Sequence, residues 1–286
     1  MEALRVGIVG LGRAGSAVAV ECAHAAGVEL VGVWNRGPRD VPLEIAAVAT
    51  FGGEVPPLLR GADVVLLAVH DRAVPAVAAA LDVDEDVAVM HLSGAADVTL
   101  LDGLRRGRAG CWHPLQSFAG THGAEVPPYA VALQGDPVAV ARGRVLAERL
   151  GHPAVELAAD GRAAYHAAAV LASNCLVALE ATAVRAMERA GVSAEDAWRL
   201  LWPLVRGTIA NLERGPAPGT LTGPIARGDA DTVRRNLGAL QGDGDAIDVY
   251  RSLGVEALKL SVAAGLGESE QAAVLESLGC ATDESD

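Results

Sequence analysis

Val6-Gly7-Ile8-Val9-Gly10-Leu11-Gly12-Arg13-Ala14-Gly15 decides how the first half of this chain folds. A β-branched run leads into it, and an Ala-rich stretch of helical composition, residues 15–26, leads out. The glycines stand as G-x-G-x-x-G at the strand-to-helix turn. Gly10 permits the tight turn, Gly12 lets the backbone approach a pyrophosphate, and Gly15 lets helix and strand pack closely. The helix N-terminus offers unpaired N–H groups to phosphates. Gly10, Leu11, Gly12, Arg13, Ala14 and Gly15 are therefore candidate cofactor contacts. The alternative is a sheet of this type that has lost its ligand.

Outward from the turn, short β-branched runs alternate with Ala-rich helical stretches, the βαβ signature of a parallel sheet. Strands are expected at 5–9, 29–34, 64–69, 87–92 and 130–134, with shorter ones at 109–112 and 154–157. Helices are expected at 15–26, 73–81 and 138–150, while 41–51 is ambiguous. From about Asp160 the pattern becomes helical: one long helix over 161–190, then 193–214, 229–240 and 246–264. Ser193 is placed to cap the second of these, with Glu195 and Asp196 in its first turn. Pro203 is placed to kink it. The fold class is α/β: an N-terminal Rossmann domain (1–158) with a doubly wound, mainly parallel sheet, then an all-α domain (159–286).

The chain has 286 residues, is 51% hydrophobic and only 3% aromatic, so its cores must be aliphatic. Its net charge of −13 repels nucleic-acid backbones and anionic lipid, so neither is an expected partner. Cys22, Cys111, Cys175 and Cys280 are widely spaced and read as free thiols. A strand begins within a few residues of Met1, leaving no room for a signal peptide. The apolar stretch 167–179 is too short to span a bilayer. A cytoplasmic protein with no membrane association is expected, disordered only at 283–286. The seven histidines show no i, i+4 pairing, and no metal site is expected.

The end of the second strand discriminates between cofactors. A site selective for NAD places Asp or Glu there for the ribose 2′-hydroxyl. Here Trp34-Asn35-Arg36 has no acid before Asp40, and Arg36 is suited to a 2′-phosphate. NADP(H) is therefore expected over NAD(H), with Asn35 and Arg36 as contacts, unless Arg36 is only a solvated turn residue. Val69 and His70 follow the 64–69 strand beside the same groove.

With this turn, the Asn-Arg strand end and Ala68-Val69-His70-Asp71, the first half resembles the 6-phosphogluconate dehydrogenase-like reductases. That group includes β-hydroxyacid dehydrogenases, pyrroline-5-carboxylate reductase and ketopantoate reductase. Three segments are similar to a subgroup that joins a Rossmann domain to a helical domain of unassigned function. They are Gly110-Cys111-Trp112-His113-Pro114-Leu115-Gln116-Ser117-Phe118, Tyr165-His166-Ala167-Ala168-Ala169-Val170-Leu171-Ala172-Ser173-Asn174 and Thr222-Gly223-Pro224-Ile225-Ala226-Arg227-Gly228-Asp229. The resemblance implies a reductase and a homodimer through the helical domain. It also implies a catalytic Lys four residues before Asn174, but Val170 stands there, and Lys259 is the only lysine.

Hydride transfer needs a proton donor and polar groups that hold the substrate. Ser93-Gly94, at a strand end, resembles a loop that holds a substrate carboxylate; an ordinary turn serine is equally compatible. His113, with Gln116 and Ser117 after it, either faces the substrate or holds its loop through a backbone hydrogen bond. On one continuous helix His166 and Asn174 lie about 80° apart and two turns distant, so both could face one cleft. His166 then replaces the missing lysine as proton donor, unless it and Asn174 make only a structural hydrogen bond. Arg227 could reach a substrate carboxylate, and Asp229 could cap a helix. The reaction expected is NADPH-dependent reduction of a small 2-oxo acid such as ketopantoate. Imine reduction, a deazaflavin-linked NADP reaction and a non-catalytic dinucleotide sensor remain open.

Overall fold

The computed structural model describes residues 2–53, 55, 57–118, 126–215 and 217–279. By compactness the chain forms two units, Met1–Ser173 and Asn174–Asp286. The first is built on an eight-stranded sheet in the order β3-β2-β1-β4-β5-β6-β7-β8. The strands are β1 (Leu4–Val9), β2 (Val28–Asn35), β3 (Ala49–Phe51), β4 (Val64–Leu67), β5 (Ala88–His91), β6 (Arg108–Leu115), β7 (Ala130–Gly135) and β8 (Ala154–Glu156). All neighbours run parallel except β6 and β7. Helices α1 (Arg13–His24), α2 (Val74–Ala80) and α3 (Pro137–Arg149) make the crossovers. This is the expected Rossmann order, and it reverses between β1 and β4, where ligands of such sheets bind.

The strands are apolar on both faces because helices cover both. Val6, Ile8, Leu66 and Met90 pack on one side, Val9, Val65, Leu67 and Val89 on the other, as alternation along a strand requires. Each such side chain contributes about 1.5–3 kcal/mol. Trp112 is fully buried, and its Nε1 donates to the Gly143 carbonyl at 3.0 Å.

Several expectations change. The ambiguous 41–51 segment is a 3-10 turn, Leu43–Val48, followed by β3. Strand β6 is twice the expected length because β7 pairs antiparallel with it from Gly110 to Leu115. Its pairing with β5 stops at Cys111, so beyond that point one edge is open and the missing N–H of Pro114 is tolerated. His113 therefore lies inside a strand, not after one.

The single helix over 161–190 is two. Ser173, at φ −120° and ψ −70°, separates α4 (Arg162–Ala172) from α5 (Asn174–Arg189). Helix α4 is held to the sheet: Arg162 Nε donates to Gln134 Oε1 at 3.1 Å, and Tyr165 is hydrogen-bonded to His113. By compactness, α4 therefore falls within the first unit, which ends at Ser173. By length and composition alone, the 28-residue run Arg162–Arg189 could cross a membrane, which for one such run is weak evidence of a span.

The second unit comprises α5, α6 (Ala194–Arg214), α7 (Ala217–Thr220), α8 (Ala230–Ala239), α9 (Gly244–Ala263) and α10 (Glu268–Ser277). The last was not expected. Ser193 caps α6, accepting from Asp196 N at 3.2 Å, and Asp229 caps α8, accepting from Thr232 N at 3.0 Å. Such caps are worth about 1 kcal/mol each. Val233, Leu237, Leu258, Val274 and Leu278 form the core. A cavity of about 570 Å³ lies among Leu179, Met187, Leu201, Ile225, Tyr250 and Leu253. Helix α6 exposes Trp198, Leu200, Trp202 and Leu204, the two tryptophans stacked at 5.4 Å. Cys22 and Cys111 are buried free thiols and Cys175 is exposed. Cys280 and the 283–286 tail lie outside the described residues.

Candidate functional site

The glycine turn sits at the end of β1. Gly10 has φ +105°, and a Cβ there would stand 2.6 Å from the Ala68 carbonyl oxygen. On Gly15 a Cβ would lie 2.2 Å from Gly10 O. Those two glycines are requirements of the fold itself. Gly12 differs: its φ is −69°, and an added Cβ would meet only Ala68 O, at 3.8 Å. The space in front of it is open, as an approaching pyrophosphate needs.

The first helical hydrogen bond runs from Ser16 N to Gly12 O at 2.9 Å, leaving the N–H groups of Arg13, Ala14 and Gly15 ahead of it. Leu11 N–H is already taken: it donates to Asn35 Oδ1 at 3.1 Å. Asn35 Nδ2 in turn donates to Gly37 O at 2.7 Å, so Asn35 braces the turn from β2. Arg36 is exposed at the strand end, and Val69 and His70 follow β4 alongside the turn. Arg39, which sequence inspection passed over, donates to the Leu11 carbonyl. The Arg39 guanidinium thus sits against a turn with open backbone donors, and Arg36 follows at the end of β2, a combination that fits a phosphorylated dinucleotide.

A second constellation forms where β5, β6 and α4 meet. His91, at the end of β5, is fully buried; its Nδ1 accepts from Ser93 N–H at 3.2 Å, which leaves the proton on Nε2 to donate to Asp97 O at 2.9 Å. Ser93 Oγ donates to Asp71 Oδ2 at 2.8 Å and accepts from Ala96 N at 3.1 Å. Both Ser93 donors therefore have protein acceptors, and the loop cannot offer them to a substrate carboxylate without breaking these bonds. Beside it, a Cβ on Gly94 would come within 2.7 Å of His113 Nε2. The imidazole packs directly against Gly94, and only glycine allows that approach.

His113 Nδ1 and Tyr165 Oη are 2.6 Å apart, with the rings edge to face. Burial, reinforced by Arg162, His166 and His91, lowers the His113 pKa to about 4. Burial raises that of Tyr165 to about 12 despite Arg162. At neutral pH the pair is a neutral imidazole hydrogen-bonded to a neutral phenol. Arg162, Tyr165 and His166 fall at i, i+3 and i+4 on α4 and share a face. Arg162 is 4% exposed, and both its Nη atoms and His166 Nδ1 are buried without a hydrogen-bond partner among the described residues.

The remaining candidates lie apart from these groups. Gln116 Nε2 donates to Pro127 O at 3.2 Å, and its Oε1 accepts from Ser117 N, so the two brace their own loop. Asn174 opens α5 as an exposed residue of the second unit, and the break at Ser173 removes the helical-wheel relation to His166. Arg227, also in that unit, is exposed. Asp71, Arg162 and Tyr165 were missed. A polar trio at helical spacing on an Ala-rich helix was the available signal for the last two.

Residues 5–93 match the family described as NADP oxidoreductase, coenzyme F420-dependent, and residues 129–257 match a domain of unknown function, DUF2520. None of the curated proteins matches the sequence significantly. Among solved structures, a Bacteroides fragilis protein described as a candidate NADP oxidoreductase is 17% identical, with TM-score 0.67 over 90% of this chain and 98% of its own. A Thermotoga maritima protein is 21% identical, with TM-score 0.68 and the same coverages. Plasmodium falciparum pyrroline carboxylate reductase, solved with NADP bound, is 12% identical, with TM-score 0.58 over 91% and 99%. These likenesses are of fold. On the match over residues 5–93, the chain is an NADP-dependent oxidoreductase whose substrate stays unspecified.

Proposed function

We propose that the protein reduces a small carbonyl compound with NADPH, a 2-oxo acid such as ketopantoate being the leading substrate. The observation that carries the reading is the neutral His113–Tyr165 pair, with the imidazole packed against Gly94. The turn after β1, with Arg36 and Arg39, would hold the cofactor, which supplies the hydride when bound. The chain's task is then to protonate the developing alkoxide. With Tyr165 O–H donating to Nδ1, His113 carries its proton on Nε2, the nitrogen facing Gly94. Nε2 gives that proton to the alkoxide while Nδ1 takes one from Tyr165. The imidazole never becomes a cation, in keeping with its low pKa. The tyrosinate forms on a ring whose centroid lies 5.7 Å from the Arg162 guanidinium carbon, and solvent reprotonates it. His166 orients the substrate from the same helix face.

The test mixes the purified protein and NADPH with ketopantoate, other 2-oxo acids and cyclic imines. NADPH oxidation with a 2-oxo acid is expected; none with any compound overturns the reading. Imine reduction is the second reading, favoured by the absence of lysine from α4, because an iminium arrives already protonated. A third follows from the description of the family matched by residues 5–93, and oxidation of NADPH by a deazaflavin tests it. The exposed apolar face of α6 favours a homodimer through the second unit, which sedimentation checks.

A further inference from the structure

We infer that Arg162 is the substrate's carboxylate anchor, and hence that the protein selects acids over neutral carbonyl compounds. The inference rests on the reductase reading for what is turned over, but the anion site stands on its own geometry.

Four observations carry it. First, the guanidinium keeps a fixed positive charge, is 4% exposed, and forms no ion pair among the described residues. A buried charge without a counter-ion is costly and persists where a function needs it. Second, Nε donates to Gln134 Oε1 at 3.1 Å, while neither Nη atom has an oxygen partner among the described residues, the uncharged Cys111 thiol being the other polar group beside the guanidinium. Those two nitrogens are the pair that binds a carboxylate through parallel hydrogen bonds. Third, Gln134 is itself fixed: its Nε2 donates to the Ala158 and Ala159 carbonyls at 2.9 and 3.0 Å. The guanidinium is thereby aimed before any ligand arrives. Fourth, Ser93, the carboxylate holder suggested by resemblance, has its donors engaged by Asp71 and His91. The acid group needs another partner, and Arg162 shares a helix face with Tyr165.

Because the Nη atoms are already out of water, an arriving carboxylate need not strip a hydration shell from them. Folding has met that cost.

The test uses the full chain with bound NADP+ and sodium oxamate, a carboxylate that cannot be reduced. Calorimetry is expected to show oxamate binding that weakens roughly 30-fold in Arg162→Gln and roughly 10-fold in Arg162→Lys, which keeps the charge but loses the fork. With 2-oxobutyrate and its methyl ester as substrates, the wild-type preference for the acid is expected to collapse in Arg162→Gln while NADPH affinity is unchanged. In Arg162→Met the melting temperature without ligand is expected to hold or rise, since an unpaired buried charge is removed. Unchanged oxamate affinity and acid preference in a folded Arg162→Gln would overturn the inference. So would equal wild-type handling of acid and ester, or a fall in melting temperature with no change in binding. Arg162-dependent oxamate binding without NADPH oxidation by any acid would sustain the anion site and sink the reductase reading.

Discussion

The glycine turn after β1 and the polar cluster under α4 occupy one sheet but are built on opposite principles. At the turn nearly every constraint is local backbone: a φ of +105° at Gly10, contacts no Cβ could survive, and an Asn35 side chain satisfying Leu11. Under α4 the constraints are side-chain meetings over long chain separations, and several polar atoms remain unsatisfied. A backbone shape fixed without ligand suits a cofactor whose own shape never varies. A site left short of partners suits the component that changes.

The comparison breaks most severely at Gly15. Replacing it with Val places Cβ against Gly10 O, and a loss of about 3 kcal/mol or more is expected in a urea titration, with NADPH binding abolished. If Gly15→Val folds and binds normally, the turn is not built as described. Next comes Tyr165→Phe, which cuts the relay without touching the turn. Its kcat is expected to drop about 100-fold with NADPH affinity unchanged, measured by stopped-flow and fluorescence titration.

Arg36→Ala sharpens the cofactor side: NADPH binding should weaken roughly 10-fold or more and NADH binding hardly change, as paired titrations would reveal. The smallest expected effect concerns acid. Burial holds the folded-state pKa of His113 near 4 and also lowers that of His91, below the unfolded value of about 6.5. Their stabilising contribution is therefore present above about pH 6.5 and is lost progressively as pH falls toward 4. For His113 this amounts to about 1 kcal/mol between pH 7 and 5.5. Denaturant midpoints against pH should show it, with a flatter profile in His113→Asn.

The same contrast governs what the sequence disclosed. Gly10, Gly12 and Gly15 could be interpreted because their meaning is complete within ten residues. A mainly parallel sheet followed from βαβ alternation, and Ser193 and Asp229 were legible as caps because capping is local. The length of β6 was not, since antiparallel partner β7 sets it. The break at Ser173 left no glycine or proline to mark it. Helix α10 went unseen because few of its residues are buried. Arg162 and Tyr165 find their partners 28 and 52 positions away, a distance that no local pattern spans.

One feature of the core doubles as an instrument. Trp34 and Trp112 are buried in the first unit, and Trp198 and Trp202 stand exposed and stacked in the second. The chain has no other tryptophan. In a lone protomer emission therefore divides into a blue, shielded part that reports the sheet and a red part, open to acrylamide, that reports the helices. A dimer through α6 would shift the second part blue. Unfolding of each unit can be followed in the unlabelled protein by choice of wavelength.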